Sequence, residues 1–349
     1  MKKVLALLLV LALCCTCLIG CGSQGSDEGA ATEESTITIK VGHVCAEAHP
    51  CHIAFTNFAE RCAERSNGTL NVEVYPSSQL GVEREMIEMT MGGSMELFYS
   101  GSQTLGLFCD AVNFQGLPFF FTGGKPAARD FFAVYGEEIA QKFDEQLDVT
   151  IVWTDNSAYG QASNKYKIVL PEDIKGVKIR TLETEMMIKT YEVLGALATP
   201  VNMSELYTAM QQGTIDAATI NAILLGMMNI CEVTEYYLNS QMFVDMGVSM
   251  YTNDFYASMS ENQQKIFSEE LAAFTVEYAN LFDEAELSVI DDLVARGVEV
   301  TNPTQEQYDQ WIAAVQPVYD WYKDTYGDKY PKLDEYIQAA ADINTKYVA

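Results

Sequence analysis

Residues 171–180, PEDIKGVKIR, decide the reading of the whole chain. Pro171, Glu172 and Asp173 are turn and helix-start residues, Gly176 breaks the chain, and Val177 with Ile179 set a period of two. A short strand over 177–180 follows, with Arg180 at its carboxyl end. In open α/β sheets ligands bind outside the carboxyl ends of the strands, and a guanidinium offers a planar fork of donors matched to a carboxylate. Arg180 is therefore the candidate for an anionic ligand; the competing reading is a surface arginine paired to Glu183 or Glu185.

Working outward, Thr181 or Thr184 is placed to cap a helix that carries Glu183 and Glu185 at its start and ends by Gly195. A strand over 197–201 comes next, then a helix capped by Ser204 and closed by Gly213, then a strand over 215–220. The same alternation occurs at the front: a strand over 37–41, a helix opened by Pro50, a strand over 70–74, a helix over 82–91 and a strand over 95–99. The expected fold is thus α/β, with two α/β domains of similar plan around a ligand cleft. Residues 127–147 read as helix and 150–153 as strand, leading into a polar loop at 155–159 whose Tyr159 is the second candidate contact.

Farther on, Ser260 and Gln263 form a capping box, and neither Gly nor Pro recurs until Gly297. The helix implied is about 35 residues and about 50 Å long, long enough to lie across both domains, and it lacks the sustained heptads of a coiled coil. Thr304 and Gln307 start another helix containing Pro317, and a final helix is expected over 333–347.

The chain has 349 residues and a formal charge of −28. Such a charge argues against nucleic acid or an anionic membrane surface as partner, and it repels an acidic ligand at long range, so binding one needs a fixed local cation. Lys2 and Lys3 followed by an apolar run read as a secretory signal. Of the 9 cysteines, Cys14, Cys15 and Cys17 fall in that signal. Cys45, Cys51, Cys62, Cys109 and Cys231 remain beyond Cys21, an odd number that reads as mostly buried free thiols, with at most a stray bridge, rather than a disulfide framework.

Two resemblances complete the reading. Residues 18–21, LIGC, resemble the bacterial lipoprotein box, which implies cleavage before Cys21, lipidation of Cys21, and an exported chain anchored at the outer face of the cytoplasmic membrane. Residues 75–81 (YPSSQLG), 117–119 (LPF), 173–180 and 205–216 (ELYTAMQQGTID) together resemble the substrate-binding protein of tripartite ATP-independent (TRAP) transporters. That resemblance implies two α/β domains joined by strands and a long domain-spanning helix. It also implies an organic acid held with its carboxylate on Arg180, and delivery to a sodium-driven permease. The domains expected are 37–156 with about 246–285, and 157–245 with about 286–349, after a signal at 1–21 and a linker at 22–36.

This chain departs from the family pattern in putting Tyr159 where many relatives carry a second arginine, in Ala217 and Thr219, and in having Ile220 where an asparagine is usual, with Asn221 one place along. Met203 is carried over as a wall position, and Tyr99, Ser100 and His43 complete the expected ligand set. Without a partner for a second carboxylate, a monocarboxylate is expected in preference to a dicarboxylate or a sialate. Lys178 tempers this, since it shares a strand face with Arg180 and could meet a second acid group. No cofactor and no enzymatic activity are expected. The competing functions are a metal-binding exported protein using His43, Cys45, His49, Cys51 and His52, whose spacing lacks the paired pattern of structural zinc motifs, and a secreted hydrolase using Cys51 and His52.

Overall fold

The structure, a computed structural model, describes residues 34–155 and 157–347. The lipoprotein box at 18–21, with Cys21, lies outside the described residues. Among the described residues eleven strands form two sheets. β1 (Ile37–His43), β2 (Leu70–Tyr75), β3 (Leu97–Gly101) and β4 (Val149–Thr154) belong to the first; β5 (Ala158–Ser163), β6 (Lys178–Thr181), β7 (Leu197–Pro200), β8 (Ala217–Asn221) and β9 (Tyr236–Val244) belong to the second. β10 (Gly247–Thr252) returns to the first sheet, and β11 (Glu299–Thr301) closes the second. The strand orders are β2-β1-β3-β10-β4 and β11-β9-β5-β8-β6-β7. Within them β1, β2 and β3 run parallel, as do β6, β7 and β8, while β10 and β5 run antiparallel to both neighbours.

The helices are α1 (Pro50–Arg65), α2 (Glu83–Met91), α3 (Ser102–Leu105), α4 (Gly124–Leu147), α5 (Glu185–Val193), α6 (Met203–Gln211), α7 (Ala222–Met227), α8 (Asn253–Ser258), α9 (Glu261–Ala295), α10 (Gln305–Tyr326) and α11 (Leu333–Asn344). α9 starts at the expected capping box, with Gln263 N donating to Ser260 Oγ at 3.1 Å and Ser260 N donating to Gln263 Oε1 at 3.0 Å. It runs for 35 residues and packs on both halves. Towards its start Phe274 stacks on Phe55 of α1 at 3.9 Å, and Glu270 receives both Arg61 and Arg65. Just past its end Arg296 Nη1 donates to the Gly226 carbonyl at 2.8 Å, beside the second sheet. An aromatic stack of that kind adds about 0.5–1.5 kcal/mol to what burial already contributes.

Three links join the sheets: the step from β4 to β5, the step from β9 to β10 through Asp245 and Met246, and α9. Two short extended links side by side are the usual hinge of a two-part cleft.

Several local expectations shift. The loop expected at 155–159 is shorter, because Ala158 and Tyr159 already pair on both sides, with Val244 and Phe243 of β9 and, for Tyr159, Asn221 of β8. Ser204 does not cap α6; Asn202 stands at that position and Ser204 lies within the first turn. β9 and β10 were not read from sequence. Buried side chains occur at successive positions along them, so an alternating pattern is missing. Cys45, Cys51, Cys62, Cys109 and Cys231 are buried free thiols, as the odd count suggested.

Candidate functional site

Arg180 sits near the carboxyl end of β6, paired with Thr199 on one side and Ala218 on the other. Its side chain is only 2% exposed. Nε donates to the Val201 carbonyl at 2.8 Å and Nη1 to the Thr219 carbonyl at 3.1 Å, so the backbone holds the guanidinium plane by two of its donors. Among the described residues no carboxylate forms an ion pair with it. The surface pairing weighed above is excluded by where the two glutamates go: Glu183 receives Arg84, and Glu185 accepts from the Tyr326 hydroxyl. Burial draws the Arg180 pKa down, opposed by the charge of Glu83 and by Tyr159, and a guanidinium stays protonated under these conditions.

A cavity of about 40 Å³ adjoins the guanidinium. Its wall takes Tyr99, Ser100 and Cys45 from the first half, Tyr159, Met203 and Asn221 from the second, and Tyr278 from the middle of α9. A cavity of that volume has room for water but not for a sugar-sized acid. A larger groove of about 400 Å³, bounded by Lys125, Arg129, Asp283 and Glu286, shares no wall residue with this cavity. Its cations are spent on its own acids: Lys125 on Asp283 and Glu286, Arg129 on Asp155 and Asp283.

The strands aim the remaining contacts. Tyr159 and Asn221 are directly opposed in the antiparallel pair of β5 and β8. The β5–β9 ladder shifts register between Tyr159 and Gln161, and at Gly160 in between a Cβ would stand 2.3 Å from the Leu238 carbonyl oxygen and 2.7 Å from the Tyr237 ring. Only glycine fits that irregularity, which turns Tyr159 to the cavity. Burial pushes the Tyr159 phenol well above its ordinary pKa, so the hydroxyl is a neutral donor. Asn221 caps α7, its Oδ1 accepting the Leu224 N–H at 2.8 Å, which leaves its amide nitrogen to donate.

Of the residues expected from sequence, Arg180, Tyr159, Met203, Asn221, Tyr99 and Ser100 meet at one cavity. His43 does not reach the wall; it is fully buried behind it, parallel to Phe55 at 6.1 Å. Ile220 is likewise fully buried away from the cavity, and Lys178 is exposed. Sequence reasoning missed Glu83, whose carboxylate accepts from Ser100 Oγ and whose pKa burial raises, against the pull of Ser100 and Arg180. It also missed Tyr278 and Leu224. None of the three carries a local signal, since each arrives by tertiary packing.

The hydrolase reading finds no support in the geometry. Burial and the neighbouring Cys45 hold the Cys51 thiol well above its ordinary pKa, and His52 Nδ1 is engaged with His43 Nε2 at 3.3 Å.

The family model of the bacterial extracellular solute-binding protein, family 7, matches residues 41–325. The chain belongs to that family. As a family 7 protein it is a TRAP-type, extracytoplasmic solute-binding protein. It is similar to a solute-binding protein of Verminephrobacter eiseniae, 24% identical over 85% of this chain and 88% of the relative. It is also similar to the 2,3-diketo-L-gulonate-binding periplasmic protein of Escherichia coli, 25% identical over 75% of this chain and 80% of the relative. The crystal structure of a TRAP periplasmic solute-binding protein from Roseobacter denitrificans, with bound β-D-glucuronate, superposes with a TM-score of 0.81 at 23% identity, covering 87% of this chain and 99% of that one. The shared fold is a two-domain α/β architecture.

Proposed function

We propose that this family 7 protein captures one small monocarboxylate on Arg180 and hands it, without chemical change, to a TRAP-type secondary transporter. Organic-acid capture for such a transporter is the function of the family it belongs to. The observation that carries the reading at this site is Arg180 itself: a guanidinium buried to 2% exposure, held by two carbonyls and with no ion-paired carboxylate among the described residues. Enclosing a charge is unfavourable unless an opposite charge completes it, and a ligand carboxylate does so bidentately.

The rest of the wall argues for one acid group. Tyr159, Tyr99, Tyr278 and Asn221 offer neutral donors, Met203 and Leu224 offer apolar surface, and Glu83 disfavours a second carboxylate nearby. The relatives that bind diketogulonate and glucuronate fit this class, since each ligand pairs one carboxylate with several oxygens. The domains are 37–156 with about 246–285, and 157–245 with about 286–349, rotating about the two strand links. Cys21 carries the lipid that keeps the chain at the outer face of the membrane.

Isothermal titration of the purified chain with D-glucuronate, D-galacturonate, orotate, succinate and a sialic acid tests the reading. A monocarboxylate should bind one to one and bind tightest. A strongest signal from succinate overturns the monocarboxylate assignment, one from the sialic acid overturns the small size of the ligand, and undiminished binding by Arg180→Ala overturns the site.

A further inference from the structure

A cluster behind the ligand wall is not used by carboxylate capture. His43 ends β1, Cys45 follows two residues later, and Cys51 stands in the first turn of α1. All three are buried, and one ligating atom from each lies within 4.8 Å of the others. Distant in no sequence sense, they are converged by the turn at 46–49: His49 caps α1 by accepting the Cys51 N–H on Nδ1 at 3.1 Å, which fixes Cys51 against the strand end.

A second observation points to a ligand. His43 is fully buried, its Nε2 is engaged with His52 Nδ1 at 3.3 Å, and its Nδ1 is a buried polar atom with no hydrogen-bond partner among the described residues. Leaving such a nitrogen unpaired is unfavourable, whereas one ring nitrogen held by a neighbour while the other ligates is the usual arrangement of a metal-bound imidazole.

We propose that His43, Cys45 and Cys51 form a binding site for a soft, tetrahedrally coordinated ion of the zinc class, set in the wall of the ligand cavity. Imidazole nitrogen with two sulfurs is a donor set for Zn²⁺, with hard cations disfavoured by the absence of oxygen ligands. Tetrahedral zinc with sulfur at about 2.3 Å and nitrogen at about 2.0–2.1 Å puts its donors roughly 3.5–3.8 Å apart, so atoms already within 4.8 Å need close by at most roughly 1.0–1.3 Å. Binding expels both thiol protons, and the ion's own charge supplies the stabilisation that burial alone denies a thiolate here. Cys45 and His49 form part of the cavity wall beside Arg180, so the site borders that cavity. The site does not depend on which acid is carried.

The test uses the full chain, purified in detergent, reduced, stripped with a chelator and desalted. Titrated with Zn²⁺ it should retain about one equivalent after desalting, and Co²⁺ in its place should give a thiolate-to-cobalt charge-transfer band. Cys45→Ser and Cys51→Ser should each lower retention at least tenfold, while Cys231→Ser, a buried thiol elsewhere, should keep it. The wild-type Co²⁺ spectrum decides the matter even where a variant fails to fold. Retention below about a tenth of an equivalent by the reduced wild type, a cobalt spectrum lacking the sulfur band, or equal retention by folded Cys45→Ser overturns the site.

Discussion

The Ser102 hydroxyl donates to Asp245 Oδ1 at 2.8 Å, at the point where the chain passes from the second sheet to the first. The Gln103 N–H adds a second donor at 3.2 Å, yet Oδ2 is buried without a partner. Burial outweighs these donors and pushes the Asp245 carboxyl up to about 7.

The first prediction follows from that carboxyl. Between the ordinary aspartate value, near about 4, and about 7, the folded chain keeps a proton that the unfolded chain has released, so stability falls as pH rises through this window and levels off above it. The loss is at most on the order of 4 kcal/mol. Urea unfolding at pH 5 and pH 8 should show Asp245→Asn gaining more on wild type at pH 8 than at pH 5. An equal difference at both pH values would mean that Asp245 titrates normally.

Arg180→Lys keeps the charge and loses the fork. Nε and Nη1 are tied to the Val201 and Thr219 carbonyls, so a lysine cannot reproduce both the anchoring and the bidentate grip. Affinity for the bound acid should fall by on the order of 2 kcal/mol, about thirtyfold, when measured by calorimetry. A change within about a factor of two would place the carboxylate elsewhere.

Asn221 has two jobs that substitution can separate. Asn221→Ala removes the α7 cap, costing about 1 kcal/mol of stability, and removes the cavity donor as well. Asn221→Asp retains a capping oxygen and places a negative charge in the wall. Thermal unfolding of the aspartate variant should stay near wild type while its carboxylate affinity drops more than tenfold. Equal affinity in wild type and Asn221→Asp would remove residue 221 from the site.

Cys21→Ala should release the chain from the membrane fraction. A single acyl chain holds a protein only marginally, whereas two or more hold it stably. A Cys21→Ala chain that still sediments with membranes after high-salt washing would show that another element anchors it.

The sequence was legible where a signal is local. The capping box at Ser260 and Gln263 set the start of α9, and the absence of breakers set its length. The strand-end position of Arg180 followed from two alternating residues and a glycine. Tyr159 reads as a loop residue because residues 158–163, AYGQAS, lack apolar alternation and hold a single bulky β-former; β8 and β9 pairing on either side makes them a strand. Glu83 reads as an ordinary acid in the first turn of a helix, and only the packing of α2 brings it to the cavity. The spacing of His43, Cys45 and Cys51 matches no paired motif because two donors come from a strand end and the third from a helix start.

Arg180 is walled off from the outside, and that has a kinetic consequence. A charge enclosed this far contributes little to the potential beyond the surface, so an approaching anion meets a chain of formal charge −28 before it meets the guanidinium. The encounter is therefore retarded at low ionic strength and quickened by added salt, the reverse of an electrostatically steered receptor. Once inside, the acid and the guanidinium are shielded from that salt, so its residence time should barely respond. Discrimination among acids then lies in how slowly the right one leaves.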